Sequence, residues 1–123
     1  MHHLQIDGWV STVLPRDVCE LTVMNLIDLI NMKPLKDFIY SDTYLGPSFY
    51  QLIMQSHVCG DYFKLPQGMF LTLDIFSCMW FPKDVVLEYC QQQFHFKKIT
   101  RKRSLLRPFG EATFWQKLFS WIR

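Results

Sequence analysis

Two side chains invite chemistry: Ser56, in the turn-like segment Gln55-Ser56-His57, and Cys78, which ends the run Leu73-Asp74-Ile75-Phe76-Ser77-Cys78. Serine in a turn is commonplace, because its hydroxyl competes well for nearby backbone groups. A serine hydroxyl can also attack the carbonyl of the residue before it, exchanging an amide for an ester. β-Elimination and hydrolysis then leave a pyruvoyl group capping a new chain, an electrophile that no ordinary side chain provides. Cys78 is a small hydrophobe by packing and a tunable acid by chemistry. Ser48, after Gly46-Pro47, offers a second turn hydroxyl, and Asp61, beside Gly60, is a turn former that could serve as a base.

These residues must be positioned by the elements around them. His3 to Val10 alternates as a strand, with Gly8 suited to a bulge. Pro15 opens a helix with acidic Asp17 and Glu20 behind it, and Cys19, Val23, Leu26, Ile27 and Ile30 fall on one face before Pro34 ends it. Leu35 to Tyr40, Phe49 to Met54 and Met69 to Cys78 read as strands, and His57 to Phe63 as a further candidate. Pro66-Gln67-Gly68 is a turn, Pro82 to Gln93 a second helix and Phe94 to Leu105 a final strand. In the Met69 run, Met69, Leu71, Leu73 and Ile75 make one face apolar, while Phe70, Thr72, Asp74 and Phe76 make the other mixed. This order predicts an α+β two-layer sandwich, an antiparallel sheet with helices packed on one face.

Composition narrows the class. The chain has 123 residues, half of them hydrophobic and 16% aromatic, enough for one domain with a real core and far from the disordered class. The aromatic excess suggests apolar surface buried against a second copy. A formal net charge of +2 is too small to argue for nucleic acid. The basic run Lys97, Lys98, Arg101, Lys102, Arg103 and Arg107 reads as a charged edge strand. Cys19, Cys59, Cys78 and Cys90 include no C-x-x-C pair, and no nearby histidine completes a zinc pattern, so no metal site is expected. Cys19 and Cys90 read as core, and Cys59 falls in a loop. With no secretory leader pattern and no apolar run of about 20 residues, a cytoplasmic protein with reduced thiols is expected, without a membrane partner.

Gly46-x-Ser48, then Ser56-His57, then Asp74-Ile75-Phe76-Ser77-Cys78 stand in an order and near-spacing that resemble the prokaryotic S-adenosylmethionine decarboxylases. These are pyruvoyl enzymes of polyamine synthesis. The resemblance covers residues 1–108 as one domain and leaves 109–123 as an amphipathic helical tail, whose stripe is Phe114, Leu118, Trp121 and Ile122. It implies self-cleavage at Gln55–Ser56, with Ser56 becoming a covalent pyruvoyl cofactor that forms a Schiff base with the substrate amine. By the same resemblance Cys78 is the proton donor, Ser48 assists processing, and His57 and Gln67 contact substrate. It further implies a homodimer with its sites near the subunit interface.

The match has departures. Gln55 stands where the family has Glu, Gln67 replaces a substrate-facing Glu, and the family's second histidine has no clear counterpart, Asp61 and Phe63 being its neighbours by the two directions of counting. The leading expectation is decarboxylation of S-adenosylmethionine for spermidine synthesis. The change at Gln67 keeps open a basic amino acid such as ornithine or arginine as substrate. An unprocessed, non-catalytic paralogue is the reading outside enzymology.

Overall fold

A computed structural model describes residues 2–106. In chain order its elements are β1 (His2–Val10), α1 (Arg16–Leu29), β2 (Ile39–Ser41), β3 (Ser48–Ile53), β4 (Ser56–Leu65), β5 (Gly68–Ser77), α2 (Lys83–Gln93) and β6 (Phe96–Leu106). The strands form one antiparallel sheet in the order β2-β3-β4-β5-β1-β6, with the helices on one face. This is the expected α+β sandwich. The tail 109–123 lies outside the described residues.

Period-two alternation decides which side chains meet the helices. Leu4, Ile6 and Val10 of β1, Phe49 and Ile53 of β3, Val58 and Tyr62 of β4, and Leu71, Leu73 and Ile75 of β5 are all buried on that side. From α1, Cys19, Val23, Leu26 and Ile27 pack down onto them, the stripe expected from the spacing, and Thr22 joins it. Thr22 is tolerated there because its hydroxyl donates to the Val18 carbonyl at 2.8 Å, while its own carbonyl accepts from Tyr89 of α2 at 2.8 Å. That second bond ties the two helices together.

The first helix stops before Pro34. Asn31 takes a left-handed conformation (φ 59°), its N–H donates to Asp28 and that of Met32 donates to Ile27. This paired closure satisfies the last carbonyls, and asparagine is among the few residues that accept such a φ readily. The expected strand at Leu35 to Tyr40 shrinks to β2. Pro34 has no N–H for a ladder, the Leu35 N–H donates to the Leu52 carbonyl at 2.9 Å, and the buried Gln51 side chain donates to the Lys36 carbonyl at 2.6 Å. Gly8 is the site of a register shift against β6, as the sequence suggests.

Gly46 illustrates how tightly the sheet edge is built. The chain before β3 runs beside β4, with the N–H groups of Tyr62 and Lys64 donating to the carbonyls of Pro47 and Leu45 at 2.9 and 2.7 Å. Gly46 has φ +136°, and a Cβ there would lie 2.8 Å from the Tyr62 carbonyl carbon. Gly46→Ala therefore combines backbone strain with a collision against backbone, and should cost roughly 2–4 kcal/mol, read as a lowered urea midpoint with an unchanged slope.

Candidate active site

The β3–β4 hairpin closes through only Met54 and Gln55, because Ile53 pairs directly with Ser56. Two-residue hairpin loops favour glycine or asparagine where φ is positive. Gln55 occupies such a position with φ 54°, so the residue before Ser56 carries conformational strain. Ser56 is the first residue of β4 and is buried, facing the helix side. Its Oγ accepts a hydrogen bond from the Cys78 N–H at 2.9 Å, and the Cys78 Sγ lies 3.7 Å from the Met54 carbonyl oxygen. Antiparallel pairing of β4 with β5 explains the meeting: the start of one strand lies beside the end of the other. The expected Ser56–Cys78 pairing is thus assembled around the turn at Gln55.

Beside this turn lies an open cleft of about 430 Å³, lined by His3, Tyr50, Leu52, Gln55, Ser56, His57 and Phe76. His57 lies between two aromatic rings, nearly parallel to Phe76 (centroids 5.5 Å apart) and to Tyr50 (5.8 Å). On the same open face of the sheet, Asp74 holds both imidazoles. His57 Nε2 lies 2.6 Å from one carboxylate oxygen, and His3 Nε2 hydrogen-bonds the other. Cys59 stands directly opposite Asp74 in the β4–β5 register. Cys59 is therefore a strand residue rather than a loop residue.

Burial pulls the Asp74 carboxyl toward its neutral form, but the bonds from His57 and His3 outweigh it and hold the pKa below the ordinary carboxylate value. A depressed folded-state pKa stabilises the fold above the unfolded value, and that contribution is lost as pH falls through the folded one. Asp74→Asn should thus be less stable than wild type by about 1–3 kcal/mol near neutrality. The gap should close in urea titrations as pH drops below about 4. The Cys59 thiol is pushed up to about 12, first by burial and then by Asp74 and Asp61, so it is a poor free nucleophile at neutral pH. Burial likewise raises Cys19 and Cys90, which lie in the core as expected.

The other expected site residues lie elsewhere. Ser48 and Asp61 do meet, Ser48 Oγ donating to Asp61 Oδ1 at 2.6 Å as cross-strand partners. Their pair is five residues along β4 from Ser56, roughly 16 Å away at strand spacing. Within one chain they therefore do not reach Ser56. Gln67 is exposed in the β4–β5 turn at the opposite end of β4, on the order of 30 Å from Ser56. It cannot line this cleft from its own chain. His57, given only a minor role by the sequence, is central. His3, Tyr50 and Asp74 were missed as site residues, although alternation places all three on the mixed face. No family model matches the chain, and no curated protein matches it significantly. Among the described residues, no helix is long and apolar enough to cross a membrane.

Proposed function

We propose that the chain cleaves itself at Gln55–Ser56 and acts as a pyruvoyl-dependent decarboxylase of S-adenosylmethionine, feeding polyamine synthesis. The observation that carries this reading is the hairpin turn itself: a strained Gln55 precedes a buried Ser56 whose hydroxyl is held by the Cys78 N–H. In the first step Ser56 Oγ adds to the Gln55 carbonyl carbon, the C–N bond breaks, and the Ser56 nitrogen leaves as an amine. Release from the left-handed φ at Gln55 favours this step. Loss of the Ser56 α-proton then expels the Gln55 carboxylate and leaves an enamine on residue 56. Water converts its imine tautomer to a carbonyl, releasing ammonia. His57, anchored by Asp74 and adjacent to Ser56, is the base at hand for the α-proton.

The pyruvoyl carbonyl supplies an electron sink for loss of carbon dioxide from an amine substrate. The chain's own residues would do the rest. Tyr50 and Phe76, which flank His57, could offer their outer faces to a purine or a sulfonium cation. Cys78, half-buried at the mouth of the turn, is placed to return a proton to the substrate carbon. The cleft has the size of a small-molecule site. Among the described residues its lining includes no Asp or Glu, and the nearby Asp74 is engaged by two histidines. That favours S-adenosylmethionine over ornithine or arginine, whose distal cation wants a free carboxylate. A homodimer is part of the proposal, since Gln67 could reach a Ser56 only across a subunit boundary.

A second reading, an unprocessed paralogue, is favoured by Gln55 in place of Glu and by the distance of Ser48 and Asp61 from Ser56. Intact mass under denaturing conditions separates the two. Fragments 1–55 and 56–123, the latter shifted by borohydride reduction, are expected; a single uncleaved chain would overturn the decarboxylase proposal. Labelled carbon dioxide released from S-adenosylmethionine, but not from ornithine or arginine, would then identify the substrate.

A further inference from the structure

On the open face of the sheet, one donor atom each from His57, Cys59 and Asp74 lies within 4.8 Å of the other two. The register makes this a built arrangement. Cys59 on β4 is directly opposite Asp74 on β5, and His57, two residues before Cys59 on the same face, is diagonal to Asp74. Opposed pairs of this kind bring Cβ atoms to about 5 Å, and diagonal neighbours stay within reach of longer side chains. We infer that His57, Cys59 and Asp74 form a binding site for a zinc-type divalent cation, with a fourth position open toward the cleft beside Ser56.

Imidazole, thiolate and carboxylate together suit zinc rather than magnesium or calcium, which take oxygen ligands. Ligands around a tetrahedral zinc stand roughly 3.4 Å apart at normal bond lengths, so the trio needs only about an ångström of closure. The His57–Asp74 pair, 2.6 Å apart, opens slightly as the cation replaces its hydrogen bond, while Cys59 closes on both. The remaining Asp74 oxygen keeps its bond from His3, so that His3 orients the carboxylate from behind as outer partners of metal ligands do. Three protein ligands and one open position are the arrangement of catalytic rather than structural zinc. The cation would sit beside the aromatic cleft, where it could hold a substrate carboxylate. Local spacing hides the site in the sequence: His57-x-Cys59 becomes a pair only on a strand, and Asp74 joins through the sheet.

The test is independent of self-cleavage. Cobalt(II) added to the full chain should bind with one-to-one stoichiometry and produce the near-ultraviolet absorption of a cobalt–thiolate bond, and zinc should displace it. Cys59→Ser should abolish that absorption, Asp74→Asn should weaken binding at least 10-fold, and His3→Gln should weaken it about 10-fold. Ser56→Ala and Cys78→Ala should leave the spectrum and the affinity unchanged. A wild-type chain showing no thiolate absorption would overturn the inference without recourse to any variant. Absorption that survives Cys59→Ser, or that disappears with Cys78→Ala, would overturn it too. Loss of cleavage with the spectrum intact would count against the proposed decarboxylase alone.

Discussion

Ser56→Ala should be recovered as one intact chain of 123 residues, while wild type should separate into two. The effect is all-or-none, because alanine has no oxygen with which to form the ester and no other hydroxyl among the described residues is placed to do so. Ser77 is buried, but its Oγ is engaged with the Met79 N–H at 3.0 Å. Ser48 is bound to Asp61 at the far end of the hairpin. The alanine methyl fits the space of the Ser56 side chain, so the fold should persist, minus one hydrogen bond to the Cys78 N–H worth about 1 kcal/mol. Circular dichroism that matches wild type, with a single mass under denaturing conditions, is the expected pair of results. Cleavage of the alanine chain at 55/56 would show that the break is proteolysis by a contaminant. Cys78→Ala should draw the complementary line: fragments still appear and carbon dioxide release falls, if the thiol serves turnover rather than the ester as proposed. Hydroxylamine should accelerate fragment formation in any variant that stalls at the ester.

Phe94→Ala should destabilise the chain by roughly 3–5 kcal/mol, the range for removing a buried aromatic ring. Phe94 is fully buried just after α2, and its ring lies nearly parallel to that of Phe49 with centroids 5.8 Å apart. Phe49 in turn faces Phe38 at 6.2 Å and Tyr62 at 6.1 Å. Phe49 lies over Gly60, its cross-strand partner, where a Cβ would collide with the ring. The cluster therefore has no slack with which to fill the vacancy. Against a typical total of 5–15 kcal/mol, such a loss brings a domain near its unfolding threshold. Urea unfolding followed by tryptophan fluorescence would read it, and a change below about 1 kcal/mol would mean that the helix side can collapse around the gap. Phe94→Leu should recover more than half of the loss, because most of the buried volume returns.

What could be read from the sequence was what local rules control. Alternation placed Leu71, Leu73 and Ile75 inward, and the 3.6-residue stripe from Cys19 to Ile30 identified the buried side of α1. Pro15 and Pro82 marked both helix starts within a residue. Where side chains intrude on the ladder, the rules fail: β2 is three residues and not six, with Gln51 bonding to the Lys36 carbonyl in the stretch before it. For the site, Ser56 and Cys78 come together because β4 begins where β5 ends, which the motif order anticipated. Ser48, Asp61 and Gln67 lie away from Ser56 along β4 within the chain, a matter of register that spacing along the chain does not reveal. Asp74 shows the converse. Alone it is an acidic residue on a mixed strand face, and only the neighbours β1 and β4 bring two histidines and a thiol to it.

The strand order has a consequence for what the break at 55/56 would leave behind. Residues 1–55 contribute β1, β2 and β3, and residues from 56 onward contribute β4, β5 and β6. In the sheet, β1 lies between β5 and β6, while β3 lies beside β4. The two pieces are interleaved, joined along three separate ladders, and each lends a strand or a helix that the other needs for its core. Scission would therefore convert a hairpin turn into two free ends without parting the halves. Their separation would become the unfolding event itself, now a dissociation. The melting temperature of the nicked protein should then rise more steeply with its concentration than that of the uncleaved Ser56→Ala protein, which holds one fewer separable piece per subunit.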